Sequence, residues 1–226
     1  MAELTTTELA ERLGVTRRRA LDLLGSGAVG GRRLANTAWL ADADSVTRYE
    51  IASRRGSGRA LAAATAWAVL WELSGLDAEW LPQRTRARVR SRIRQSDAAE
   101  LAVAVSARAR AHRFRVANSA RAAEGLIATG RAAASVLATD LMEDDRLVSG
   151  YLRSGTVETY AAAHFMLADH TGQHVVYENT LPIVYDARAM PPAVIAADLA
   201  TSIDTRERAA GVEELERLRR AWLAVN

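Results

Sequence analysis

LGVTRRRALDLLGSGAVGGRRLANTAWLADADSVTRYE, residues Leu13 to Glu50, sets three arginines at the start of a helix whose other side is apolar. Just upstream, "ELAERLG" places Leu9 and Leu13 four apart on one face, with Thr6 or Thr7 available as N-cap and Gly14 as terminator. Val15 turns the chain, and Thr16 caps a second helix that buries Ala20, Leu23 and Leu24 and stops at Gly25 or Gly27. Two short helices joined by a Gly-Val-Thr turn make a helix-turn-helix. The macrodipole favours acids in a helix's first turn, yet this one opens with Arg17, Arg18 and Arg19. In a helix-turn-helix that turn faces the DNA major groove, so the charges are placed for an anionic partner.

Beyond the second helix, Arg32–Leu34 and Ala38–Leu40 read as two strands around a turn at Ala35, Asn36 and Thr37. Leu34 and Trp39 are expected to pack inward, while Arg32 and Arg33 project. Asp42 can cap a closing helix that returns Val46 and Tyr49 to the core. Across about the first fifty residues this order resembles the winged helix-turn-helix of the excisionase and MerR-like group, with its Gly-Val-Ser/Thr turn and Trp-Leu-Val-Asp ribbon. The resemblance implies a phosphate bond from Thr16, major-groove contacts from Arg17–Arg19, and backbone contacts from Arg32, Arg33 and Asn36. One such head makes few contacts, so a dimer on a repeated or palindromic operator is expected.

"ASRRGSGRAL", residues 52–61, is a basic, glycine- and serine-rich linker. Arg54, Arg55 and Arg59 could follow the DNA backbone or enter a minor groove; a plain tether reads equally well. Relatives of the resembling group carry Gly-Arg-Pro here, where this chain has Gly58-Arg59-Ala60.

At 226 residues and 49% hydrophobic content the chain can bury one core or two small ones. The absence of cysteine excludes disulfides, thiolate metal sites and cysteine nucleophiles. All 30 basic residues are arginine, so no lysine exists for a Schiff base. The formal charge of +3 is uneven: residues 1–95 hold 16 arginines against 10 acids, and residues 96–226 hold 14 against 17. No run is long and apolar enough for a membrane span and the N-terminal residues do not read as a signal peptide, so the expected location is the cytoplasm.

The remainder predicts a helical connector over residues 61–110 and an α+β domain over 111–226, after a head at 1–52 and a linker at 53–60. The fold class expected is thus α+β, mostly helical. "ATAWAVLWELSG" is a core helix carrying Trp67, Leu70 and Trp71, and "RTRARVRSRIRQ" is a helix after Pro82 that buries Val89 and Ile93. Its arginines could meet phosphates, an acidic partner or only solvent. Ser96 or Asp97 caps a helix running to about Arg108. Strands are predicted near 112–117, 132–138 and 150–153, helices at Ser119–Ala128 and Thr156–Phe165, and a hairpin turning over Asp169–Gln173. Asp204 caps a last helix on which Leu215, Leu218 and Trp222 share a face.

His170 and His174, with His112 and His164, lack metal-ligand spacing. Glu143, Asp144 and Asp145 read as a solvated acidic loop rather than a magnesium site. No nucleophile elbow, dinucleotide fingerprint or phosphate loop is present. The sequence therefore predicts no enzyme, no metal and no cofactor.

"ARARAHRFRV" and the closing segment Pro191–Leu215 resemble a group of large actinobacterial antitoxins that join an excisionase-like head to a toxin-neutralising part. This resemblance implies an operon partner: a PIN-domain ribonuclease, as for VapB-type antitoxins, or a nucleotidyltransferase, as for AbiEi-like ones. It also implies repression of the operon by the head. Toxins of the PIN kind gather carboxylates around a metal, and guanidinium groups can pair with them. The candidates are Arg217, Arg219 and Arg220, beside Trp222 and Leu223 as apolar anchors; closing the chain's own core is the other use of that helix. The alternative function is a stand-alone regulator whose C-terminal part binds a small molecule or oligomerises.

Overall fold

A computed structural model describes residues 3–25, 28–35, 38–53, 60–169 and 171–226. The fold is α+β and mostly helical.

The N-terminal part begins with strand β1 (Glu3–Thr5), absent from the sequence reading, followed by α1 (Thr6–Leu13), α2 (Arg17–Gly25), β2 (Gly31–Arg33), β3 (Trp39–Asp42) and α3 (Ala43–Ser53). The cap of α1 is Thr5, one residue before the expected Thr6 or Thr7. Its Oγ1 accepts the Glu8 N–H at 3.3 Å, and the Glu8 carboxylate accepts the Thr5 N–H at 2.7 Å. The shift follows from β1: its antiparallel pairing with β3 holds the backbone extended up to Thr5. Gly14 ends α1 in the left-handed region at φ 65°, where a glycine carries no Cβ penalty. The ribbon β2–β3 pairs Arg32 with Leu40 and Arg33 with Trp39, giving the sheet order β1–β3–β2. Leu9, Ala20, Leu23, Leu24, Val29, Ala41 and Val46 form the core between sheet and helices. Asp42 accepts the Ser45 N–H at 2.6 Å at the start of α3, as expected.

The remainder holds α4 (Ala63–Leu73), α5 (Gln83–Gln95), α6 (Ala98–Ala104), β4 (Ala111–Arg115), α7 (Ser119–Ala123), β5 (Leu126–Ala128), β6 (Ser149–Leu152), α8 (Val157–Ala163), β7 (Leu167–Ala168), β8 (His174–Tyr177), α9 (Pro192–Leu199) and α10 (Thr205–Val225). Its sheet runs β5–β6–β8–β4–β7, antiparallel except for β6 beside β8. Side chains alternate across a sheet, and the register sorts them. Phe114, Leu126, Leu152 and Val176 face α7 and α8, while Ile127 and Tyr151 face the helical core. That core runs from Trp67 and Leu70 through Ile93 and Leu101 to Ile195, Leu215 and Trp222. Residues 61–110 are therefore packed into the same body as α9 and α10, which corrects their reading as a separate connector.

Three further corrections have local causes. Residues 132–138 are not a strand: Gly130, at φ 56°, turns the chain away from β6, and residues Gly130–Val136 close their backbone bonds locally as 3-10 turns. The helix expected to reach Ala128 stops at Ala123, because Gly125 at φ 75° redirects the chain into β5. The predicted hairpin does not form: β7 and β8 pair with opposite edges of β4, so that strand lies between them.

Helices α9 and α10 meet at Gly211, where an added Cβ would lie 2.4 Å from the Ala200 nitrogen and 2.6 Å from the Ala196 oxygen. Both are backbone atoms and cannot rotate away. Gly211→Ala gains about 1 kcal/mol of helix propensity but overpacks this contact by roughly 3 kcal/mol. A net loss of roughly 2 kcal/mol is expected, read as a fall of about 4–8 °C in Tm; an unchanged or raised Tm would refute the close contact.

Candidate nucleic-acid interface

The Thr16 hydroxyl accepts the Arg19 N–H at 3.3 Å and so caps α2, leaving its own proton to donate outward. Arg17, Arg18 and Arg19 follow on the exposed side of the first turn. Among the described residues none of the three has an ion pair or a side-chain hydrogen bond. Ala20, Leu23 and Leu24, on the opposite side, are 0–3% exposed. A buried stripe thus holds the helix while three solvated guanidinium groups stand together at its N-terminal end.

The ribbon behaves differently. Arg32 grips Glu3 bidentately, with Nε and Nη2 at 2.7 and 2.9 Å from the two carboxylate oxygens. This hydrogen-bonded pair, which β1 makes possible, holds the Glu3 carboxyl below its ordinary range. A phosphate contact from Arg32 would have to share or displace Glu3. Arg33 is the next residue on β2 and is exposed. Asn36, Arg54 and Arg55 lie outside the described residues.

At the other end of the chain the candidate partner-binding residues mostly serve the fold. Arg217 pairs bidentately with the buried Glu214 at 2.8 and 2.7 Å. Arg219 donates to the Ile93 and Arg94 carbonyls, tying α10 to α5. Trp222 is 6% exposed, packed in the core with the Arg94 guanidinium 5.5 Å from its ring centre. Its expected role as an anchor for another protein is corrected: the ring already fills a site in its own chain. Arg220, paired with Glu216 at 2.9 Å, and Leu223, 37% exposed, remain on the outer side.

The described histidines are scattered. His112 meets Glu178 at 2.7 Å, and His164 Nδ1 lies 2.8 Å from the Arg121 carbonyl; His170 lies outside the described residues. Among the described residues no group of three or more His, Asp or Glu is arranged to hold a metal. His174 Nδ1 accepts the Val148 N–H at 3.1 Å, which requires that nitrogen to be unprotonated. Burial draws its pKa below the ordinary 6.5, against the pull of Asp144. The folded value is the lower one, so its stabilisation is complete above 6.5 and is lost as pH falls through the folded pKa. Lowering the pH from about 7 to about 5 should therefore cost the wild type more Tm than His174→Gln; equal losses would contradict this.

Two features escaped the sequence reading. Asp198 of α9 and Arg108, each under 5% exposed at the side chain, form a buried ion pair. Thr129 donates to the same carboxylate at 2.6 Å, and the Tyr151 hydroxyl lies 3.2 Å from it. A lone acid inside the apolar run of α9 was the available signal. The second feature is a cavity of about 330 Å³ between the sheet and the α9–α10 corner. Arg113, Ser149, Val175 and Tyr177 line it from the sheet, and Thr201 to Asp204 with Glu207 from the corner.

No protein-family model, curated protein or solved structure matches the chain.

Proposed function

We propose that the chain is a DNA-binding antitoxin: residues 3–53 act as a winged helix-turn-helix that represses the operon, and the C-terminal body neutralises a toxin encoded beside it. The observation that carries this reading is the group Arg17–Arg19, solvated and unpaired among the described residues on a helix whose opposite side is buried. A cluster so placed neutralises phosphates and reaches base edges. The head is small, so two heads bind a repeated or palindromic operator, and the protein works as a dimer, alone or through its toxin. The location that suits this is the cytoplasm; among the described residues no helix is long and apolar enough to cross a membrane. The toxin is a PIN-type ribonuclease or a nucleotidyltransferase, and Arg220 and Leu223 are the outward residues of α10 offered to it.

The test has two arms. Fluorescence anisotropy with DNA from upstream of the gene should show binding whose affinity falls steeply with salt. Co-expression should rescue growth from the product of the neighbouring reading frame and recover the two proteins together. Binding without rescue would leave a stand-alone regulator, the second reading, which the cavity in the C-terminal body favours.

A further inference from the structure

Among the described residues the cavity carries one arginine, Arg113, that forms no ion pair. Strand register places Arg113, Val175, Tyr177 and Ser149 on one face of the sheet, opposite the face that packs on α7 and α8. One Arg113 Nη1 hydrogen donates to the Gly172 carbonyl at 3.0 Å. Among the described residues Arg113 has no carboxylate partner, and its other N–H groups are unspent. The acids around the cavity are already engaged. Asp198 is held by Arg108 and Thr129, and Glu207 by Arg131 at 3.1 Å and Ser202 at 2.7 Å. Asp204 caps α10 through the Arg206 and Glu207 N–H groups, and Asp144 accepts the Arg146 N–H.

Tyr177 stands beside this arginine on the same face. Its ring lies flat on Tyr151, centroids 4.7 Å apart, and Tyr151 is fixed by a 2.9 Å bond from Arg108. Burial raises the pKa of Tyr177, which keeps its hydroxyl a donor. Among the described residues that hydroxyl has no hydrogen-bond partner, and the residue opens on the cavity. Burial also lowers the pKa of Arg113, outweighing the opposing pull of Tyr177 and Glu207.

We infer that this cavity is a binding site for a small oxyanion-bearing molecule, a phosphate or a carboxylate, seated on the free N–H groups of Arg113 and the Tyr177 hydroxyl. A partly desolvated guanidinium with no ion pair is costly, and an oxyanion accepting two of its N–H bonds lowers that cost. The volume falls in the range of metabolite sites. This deepens the regulator reading by naming the effector's chemistry.

The experiment uses the full-length chain with sodium phosphate or sodium succinate, against sodium chloride at matched ionic strength. Calorimetric titration should give 1:1 saturation with at least one oxyanion. At ten times its Kd that oxyanion should raise the Tm of the C-terminal body by roughly 3–5 °C. Phosphate alone would mark the ligand as phosphorylated, and succinate alone as a carboxylic acid. Arg113→Met should weaken binding roughly 10- to 100-fold. Tyr177→Phe keeps the stacked ring and should weaken it severalfold, which serves if the first variant fails to fold. No response beyond chloride, or one unchanged in both variants, overturns the site. DNA affinity measured with and without the saturating oxyanion separates the two ideas: 1:1 binding that leaves DNA affinity unchanged upholds the site and sinks the regulator reading.

Discussion

Replacing Arg17, Arg18 and Arg19 together with alanine is expected to lower affinity for the chain's own upstream DNA by roughly a hundredfold or more near 0.15 M salt, since each contact of this kind is worth about 1–3 kcal/mol. The salt dependence tells which contacts were lost. Three phosphate contacts would reduce the slope of log K against log salt by about 2.7, whereas base contacts would erase discrimination between operator and unrelated DNA. Stability should move the other way. Three cations at the positive end of a helix are unfavourable by about 0.3–1 kcal/mol each, and alanine is a better helix former than arginine. A head that binds DNA poorly while melting at the same or a higher temperature would show that these charges serve recognition. Unchanged affinity would remove the proposed interface.

What could be read from the chain beforehand was chemistry decided over a few residues. Gly14 at a left-handed turn, the Thr16 cap, the buried period of Ala20, Leu23 and Leu24, and Asp204 before α10 all act locally, and the structure places each as expected. Strand β1 escaped because three residues become a strand only by pairing with β3, whose partners lie nearly forty positions onward. The missing hairpin is the same problem. Nothing in residues 165–177 says that β4 will come between β7 and β8. The candidate interface was legible in α2, whose amphipathic pattern separates the arginines from the core, and less so in the ribbon, where Glu3 claims Arg32. The tail misled because Trp222 reads alike as an anchor or as core; only the packing of α10 against α4–α6 decides it. Arg113 was hidden by composition: among 30 arginines, nothing local marks it as one that the sheet turns towards a cavity.

Asp198→Ala is expected to be the most damaging single change in the C-terminal body, because it leaves Arg108 charged inside the core. Burial opposes the charge on Arg108, but Asp198 and the neighbouring tyrosines outweigh it and hold the guanidinium protonated. The pair draws α9 onto the sheet: Asp198 comes from the helix, Thr129 from the end of β5, and Tyr151 from β6. Arg108 also lies over the Trp67 ring, 5.3 Å from its centre, so the network reaches α4. Breaking a buried pair by removing one partner costs about 3–5 kcal/mol, a large share of the roughly 5–15 kcal/mol that stabilises a domain. Tm should fall by roughly 6–20 °C. Asp198→Asn retains an acceptor for Thr129 and Arg108 and should cost less. Removing both charges with Arg108→Met and Asp198→Leu should recover much of the loss, since an apolar substitute for a buried pair is often neutral or better. That ordering, alanine worst, asparagine intermediate and the double variant closest to wild type, distinguishes an uncompensated charge from a mere cavity. If the double variant is no more stable than Asp198→Ala, the cost lies in lost packing and the ion pair is not what holds α9 in place.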